Sequence, residues 1–167
     1  MARTPSTMVP LGSALPAFAL ADIVTGAPVA STQYGARPLL VMFVCNHCPY
    51  VVHVLDELTR LTTEYGGRVD IVAINSNDTD AYPQDGPGPM RELATSRGWA
   101  FPFCLDTTQQ VARAFEAACT PDFFLFTQQQ GALRLFYRGQ LDETRPGGAT
   151  PHGSDLRAAL DAAVDGE

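Results

Sequence analysis

The sequence predicts an α/β layer structure built on a mostly parallel sheet that ends in a hairpin. Three observations predict it. The unbroken apolar run Pro38-Leu39-Leu40-Val41-Met42-Phe43-Val44 reads as a strand buried on both faces. An amphipathic helix pattern follows within a few residues. The predicted elements then run β-α-β-α-β-α-β-β-α, an order that favours parallel strands joined by helices. The chain of 167 residues suits one domain, residues 1–167, with a full core, and it shows no internal repeat.

Each element has a local reason. Residues 1–37 are rich in Pro, Gly, Ser and Thr, with short apolar pieces near Phe18–Leu20 and Val29–Ala30. They read as a loosely packed N-terminal β extension able to form a hairpin. Over 48–65, Val51, Val54, Leu55, Leu58, Leu61 and Tyr65 recur at helical spacing and make one apolar face. Pro49 fits only the first turn, and Gly66-Gly67 stops the helix. Val69–Ile74 is a second central strand. Asn75–Gly88 is a polar Gly/Pro loop, long enough to be either a functional lid or a tolerated surface excursion.

A short helix near Met90–Arg97 leads to a third strand near Ala100–Leu105. Another helix, Thr108–Glu116, turns Val111, Ala114 and Phe115 inward. Asp122–Thr127 and Leu133–Tyr137, joined through Gln129-Gln130-Gly131, make an antiparallel hairpin. The last helix begins at Ser154 as N-cap, and its apolar stripe is Leu156, Ala159, Leu160, Ala163 and Val164.

Composition excludes several functions. The formal charge is −7, and all 11 basic residues are arginine. That balance argues against nucleic acid and anionic membranes as partners. No window approaches the ~20 apolar residues of a membrane span. The start, broken by Pro5, Pro10, Gly12 and Pro16, is a poor export signal, so a cytoplasmic protein is expected.

Four cysteines, Cys45, Cys48, Cys104 and Cys119, are too few for a disulfide scaffold. Two of them form Cys45-Asn46-His47-Cys48, at a strand-to-helix junction. A helix N-terminus carries partial positive charge and free N–H groups, which favour a thiolate, the nucleophile of disulfide exchange. Cys45, just before the helix, is expected to be the more exposed sulfur with the lower pKa. Cys48 can then attack a mixed disulfide formed on Cys45. His47 would tune the pair if it sits protonated beside the thiolate, and otherwise simply faces solvent. His53 reads as a helix-surface residue and Cys104 as a small buried hydrophobe.

Zinc binding by Cys45, Cys48 and His47 or His53 lacks the second ligand pair of a structural site, because Cys104 and Cys119 stand fifteen apart. No metal and no organic cofactor is therefore expected. Cys119-Thr120-Pro121, read alone, is an ordinary trans proline opening a strand.

The buried strand, the Cys-x-x-Cys opening a helix and the Thr-Pro entering a hairpin together resemble the thioredoxin fold, a central mixed sheet flanked by helices. The segments Phe43–Val51, Ala73–Asp78 and Cys119–Phe126 are similar to the peroxiredoxin-like, alkyl-hydroperoxide-reductase and thiol-specific-antioxidant (AhpC/TSA) branch. The similarity spans about Val9 to Val164. The resemblance implies a cis bond before Pro121, which packs on the dithiol, and a Thr120 backbone offered to substrate.

It also implies two competing chemistries. A thiol–disulfide oxidoreductase would attack with Cys45 and resolve with Cys48. A thiol peroxidase would attack with Cys48 through a sulfenic acid. In the peroxiredoxin pattern Pro-x-x-x-Thr-x-x-Cys, however, Val41 and Cys45 replace the Pro and Thr. The family's Arg near Thr120-Pro121 has no counterpart between Arg113 and Arg134. Thioredoxin's buried acid falls near the apolar Leu39. A third reading is a non-catalytic metal-binding or redox-sensing module. The partners implied are protein or small-molecule thiols and disulfides, or a peroxide.

Overall fold

The structure is a computed structural model that describes residues 9–166. Its centre is β3 (Leu39–Phe43), all five residues of which are buried. β3 pairs in parallel with β4 (Asp70–Asn75) and antiparallel with β6 (Asp122–Gln129). β5 (Phe103–Leu105) lies parallel beside β4, and β7 (Ala132–Gly139) antiparallel beside β6. The five-stranded sheet therefore has the order β5-β4-β3-β6-β7. It is mixed, flanked by helices, and thioredoxin-like in topology.

The period-two alternation of β3 divides the core. Leu40 and Met42, with Ile71, Ala73, Phe123 and Leu125, pack under α1 (Pro49–Tyr65) and α4 (Ser154–Asp165). Leu39, Val41 and Phe43, with Val72, Ile74, Phe124 and Phe126, pack under α3 (Gln110–Phe115). A fourth helix, α2 (Pro87–Ser96), adds Met90 and Ala94 to the first layer.

The N-terminal extension departs from the sequence reading. The anticipated hairpin exists, as β1 (Ala19–Ala21) paired with β2 (Pro28–Ala30). The segment is not loose, because Phe18 and Val29 are buried in the second core layer. Gly12 N–H donates to Leu135 O at 2.8 Å and Leu15 N–H to Leu133 O at 3.2 Å. Further on, Ile23 N–H donates to Phe103 O at 2.8 Å. The extension thus binds both outer strands of the sheet, satisfying edge groups that would otherwise be open. The part of the extension before residue 9 lies outside the described residues.

The start of α4 is also corrected. Gly153, with φ 69°, is the N-cap, and Ser154 is already helical. A Cβ at Gly153 would meet Glu57 Oε1 at 3.1 Å, so both backbone and space call for glycine. The capping is done at a distance. Asp142 accepts from Gly153 N–H at 2.6 Å and His152 N–H at 2.8 Å. No helix among the described residues is long and apolar enough to cross a membrane.

Phe115 fastens α3 to the sheet. Its ring meets Phe43 and Phe124 edge-on at 5.3 Å, and also reaches Phe18 and Phe126. Phe115→Ala is expected to destabilise the fold by ~3–5 kcal/mol. The check is the urea midpoint at unchanged m-value.

Candidate active site

The β3 pairing continues one residue past the strand, because Val44 N–H donates to Ile74 O at 3.0 Å. That continuation holds Cys45 in the core with 0% exposure. The chain then turns over at Asn46 and His47 and enters α1, with Cys48 as N-cap and Pro49 at the first helical position. Cys48 is 6% exposed and lines a cavity of about 740 Å³, whereas Cys45 does not line it. The order of access anticipated from the sequence is therefore reversed: Cys48 is the sulfur facing the cavity and Cys45 lies behind it. All four cysteines are free thiols.

Both sulfurs of the Cys45–Cys48 dithiol meet the segment before β6. The Thr120–Pro121 peptide is cis, not the ordinary trans bond that the sequence alone favours. Cys45 Sγ lies 3.7 Å from Thr120 Oγ1, and the Cys48 thiol points to Thr120 O at 3.6 Å. Thr120, Pro121 and Cys119 line the cavity beside Cys48.

The two thiols are electrostatically unequal. Cys48 is held down at about 5, first by the hydrogen bond donated from Cys45; burial opposes this, and Thr120 and the N–H groups of Val51 and Tyr50 reinforce it. Cys45 is pushed well above the ordinary thiol range by that same hydrogen bond and by burial. The anionic form of the pair thus carries its charge on Cys48, at the helix N-terminus.

His47 lies elsewhere than beside that thiolate. Its Nδ1–H is hydrogen-bonded to Asp85 Oδ2, and its ring stacks on Tyr82 with centroids 4.6 Å apart. Asp85 is fully buried. It also accepts from Asn46 N–H at 2.8 Å, His47 N–H at 3.1 Å and Asn77 Nδ2 at 2.9 Å. Asn75 Nδ2 donates to Asp85 O at 2.7 Å. The long 75–88 segment runs over the surface at Asp80–Gln84 but is anchored through Asn75, Asn77 and Asp85. It is the seat of the dithiol loop.

Asp85 was missed from sequence; its one signal is an acid inside a Gly/Pro-rich stretch. Cys45, His47 and Asp85 offer metal-ligating atoms within 4.8 Å of one another. An ion there would have to displace the hydrogen bonds that Asp85 already accepts.

Other expectations fall into place around this centre. Cys104 is fully buried in β5, and burial pushes its thiol up to about 12, in keeping with a packing role. Cys119 is pushed up to about 11 by burial and then by Asp122. His53 is not a plain surface residue, since Nε2 meets Thr144 Oγ1 at 3.0 Å in the cavity wall. An arginine does reach the cavity, from β7. Arg138 stands opposite Phe124 in the sheet register, stacks 4.4 Å over that ring and pairs with buried Asp122 at 2.8 Å.

The fold and the dithiol define a class, a thiol-redox protein of the thioredoxin superfamily. The chain belongs to the AhpC/TSA family, whose profile matches residues 11–135. It is similar to an uncharacterised conserved protein of Geobacillus kaustophilus, with 45% identity and a TM-score of 0.91 over 98% of this chain and 86% of that one. A hypothetical protein of Sinorhizobium meliloti is similar at 39% identity and TM-score 0.92, over 99% and 90%. In fold alone, the chain resembles a secreted Mycobacterium tuberculosis disulfide oxidoreductase at 15% identity and TM-score 0.66, over 87% and 95%. No curated protein sequence matches it.

The lowered pKa has a direct readout. Alkylation of Cys48 by iodoacetamide is expected to be near its plateau at neutral pH and to fall as pH drops through about 5. Cys45→Ala removes the largest stabilising donor and moves that midpoint upward. The linkage sign follows: with a folded value below the ordinary 9.0, the Cys48 thiolate contributes stability in full above 9.0, and this is lost as pH falls to about 5.

Proposed function

We propose that the chain is a thiol–disulfide oxidoreductase in which Cys48 attacks and Cys45 resolves. One observation carries the reading: both sulfurs pack on Thr120, with the low-pKa sulfur facing the cavity and the high-pKa sulfur behind it. The Cys48 thiolate attacks a substrate disulfide, whose S–S bond breaks and releases one thiolate. Cys45, on losing its proton, attacks Cys48 Sγ and releases the second thiol. The dithiol has then given two electrons to the substrate and become the Cys45–Cys48 disulfide. The role of Thr120 and Pro121 is to form the wall against which the substrate sulfur lies. The substrates are thiols and disulfides.

Asp85 acts as a positioning residue, because it fixes the Asn46 and His47 backbone between the two cysteines. His47 serves with it, in place of the direct thiolate contact anticipated from the motif.

Peroxide reduction is the second reading. The family match and the depressed Cys48 pKa favour it. The missing Thr three residues before Cys48, and an Arg138 already engaged by Asp122, weaken it.

Equilibration in glutathione buffers followed by thiol trapping tests the first reading. A reversible Cys45–Cys48 disulfide is expected. Cys48→Ser should abolish exchange, and Cys45→Ser should accumulate a mixed disulfide on Cys48. Absence of a reversible pair sinks the proposal. In a dithiothreitol-coupled assay, hydrogen peroxide consumption that survives Cys45→Ser but not Cys48→Ser would instead favour the peroxidase.

A further inference from the structure

The cavity in front of Cys48 has an electrostatic character opposite to that of the chain. The protein carries −7, yet Arg113, Arg138 and Arg145 all line this one cavity. Arg138 is compensated by Asp122, with both side chains buried. Arg113 and Arg145 differ. Among the described residues neither forms an ion pair; Arg68, Arg91 and Arg134 form none either, but they lie outside the cavity.

Both guanidinium groups are nevertheless held in place, and by neutral oxygens. Arg113 Nη2 donates to Thr108 O at 2.9 Å. Arg145 Nη1 donates to Thr144 O at 2.7 Å and Asp142 O at 3.1 Å, and Nη2 to Gln140 Oε1 at 2.7 Å. The one other carboxylate lining the cavity, Asp142, is buried and turned inward. It accepts from Thr144 N and Oγ1, His152 N and Gly153 N. Two positioned, uncompensated guanidinium groups therefore share a cavity with the attacking sulfur.

We infer that the cavity takes small disulfides bearing a carboxylate on each half, with Arg113 and Arg145 receiving the carboxylates while Cys48 attacks the sulfur between them. The inference rests on the oxidoreductase reading and adds the substrate class to it. Two arginines from separate segments suit a ligand with two separated anionic ends, and a planar guanidinium matches a carboxylate in two-point contact. A cavity of about 740 Å³ holds such a molecule, whereas hydrogen peroxide needs almost none of it. The reaction is the exchange written above: Cys48 bonds to one half, the other half leaves as its thiol, and Cys45 releases the second. A small dithiol reductant such as dithiothreitol returns the pair to the reduced state.

The test measures rates of Cys45–Cys48 oxidation in the full chain by dithiodiglycolate, bis(hydroxyethyl) disulfide and cystamine, which are anionic, neutral and cationic. Each rate is normalised to that of a free monothiol, to remove intrinsic reactivity. The anionic disulfide is expected to be fastest and the cationic slowest, and added salt should compress the spread. Arg113→Gln and Arg145→Gln should each lower the anionic-to-neutral ratio by ~5- to 10-fold. Arg68→Gln, just past the C-terminal end of α1 and outside the cavity, removes the same charge and should not move that ratio.

Equal normalised rates for the three disulfides, or an equal effect of Arg68→Gln, overturn the substrate class and leave the oxidoreductase intact. If none of the three oxidises the pair, both fall.

Discussion

A carboxylate with no access to water must find its hydrogen bonds inside the protein, and the site depends on how Asp85 does so. Its oxygens accept from two successive backbone N–H groups between the cysteines, from the His47 ring and from Asn77. Removing those donors would leave a buried charge uncompensated, a cost far above that of an exposed pair. Asp85 therefore imposes a shape on four residues, Cys45 to Cys48, that their own sequence does not dictate. The turn it holds lies between Cys45, which is buried, and Cys48, which lines the cavity. The 75–88 segment and the dithiol loop are two halves of one structure.

The unequal pair follows from that shape. A lysine beside the sulfurs would stabilise whichever thiolate it touched. With no lysine in the chain, the burden falls on fixed dipoles and on the second thiol. Cys45 donates to Cys48 and α1 adds its first free N–H groups. Stabilisation of this kind is directional: it favours charge on one sulfur and penalises it on the other. Reading the nucleophile as Cys48 removes the clash between the two redox chemistries implied by the resemblance, since both now start from the same atom and differ in what it attacks.

Much of the fold was legible in the sequence, for local reasons. β3 is a contiguous run of branched and aromatic side chains, and α1 repeats its apolar face over seventeen residues. Each declares itself within a single window. The dithiol was legible too, and the cis bond before Pro121 followed from the resemblance. What was not legible depends on folding at a distance. Asp85 reaches back 39 residues to Asn46. Arg138 comes to the cavity only through the β6–β7 register, opposite Phe124. The order of access at Cys45 and Cys48 likewise depends on how the loop after Val44 packs, with Cys45 buried and Cys48 on the cavity, which the apolar run ending at Val44 does not state.

The residues before β3 gain a different meaning from their contacts. Gly12 and Leu15 close the outer side of β7, and Ile23 closes the outer side of β5. Residues 12–23 hem a sheet whose strands all come later in the sequence. Deleting this stretch would not shorten a tail. It would leave two unpaired rows of N–H and C=O groups, each a template for a foreign strand.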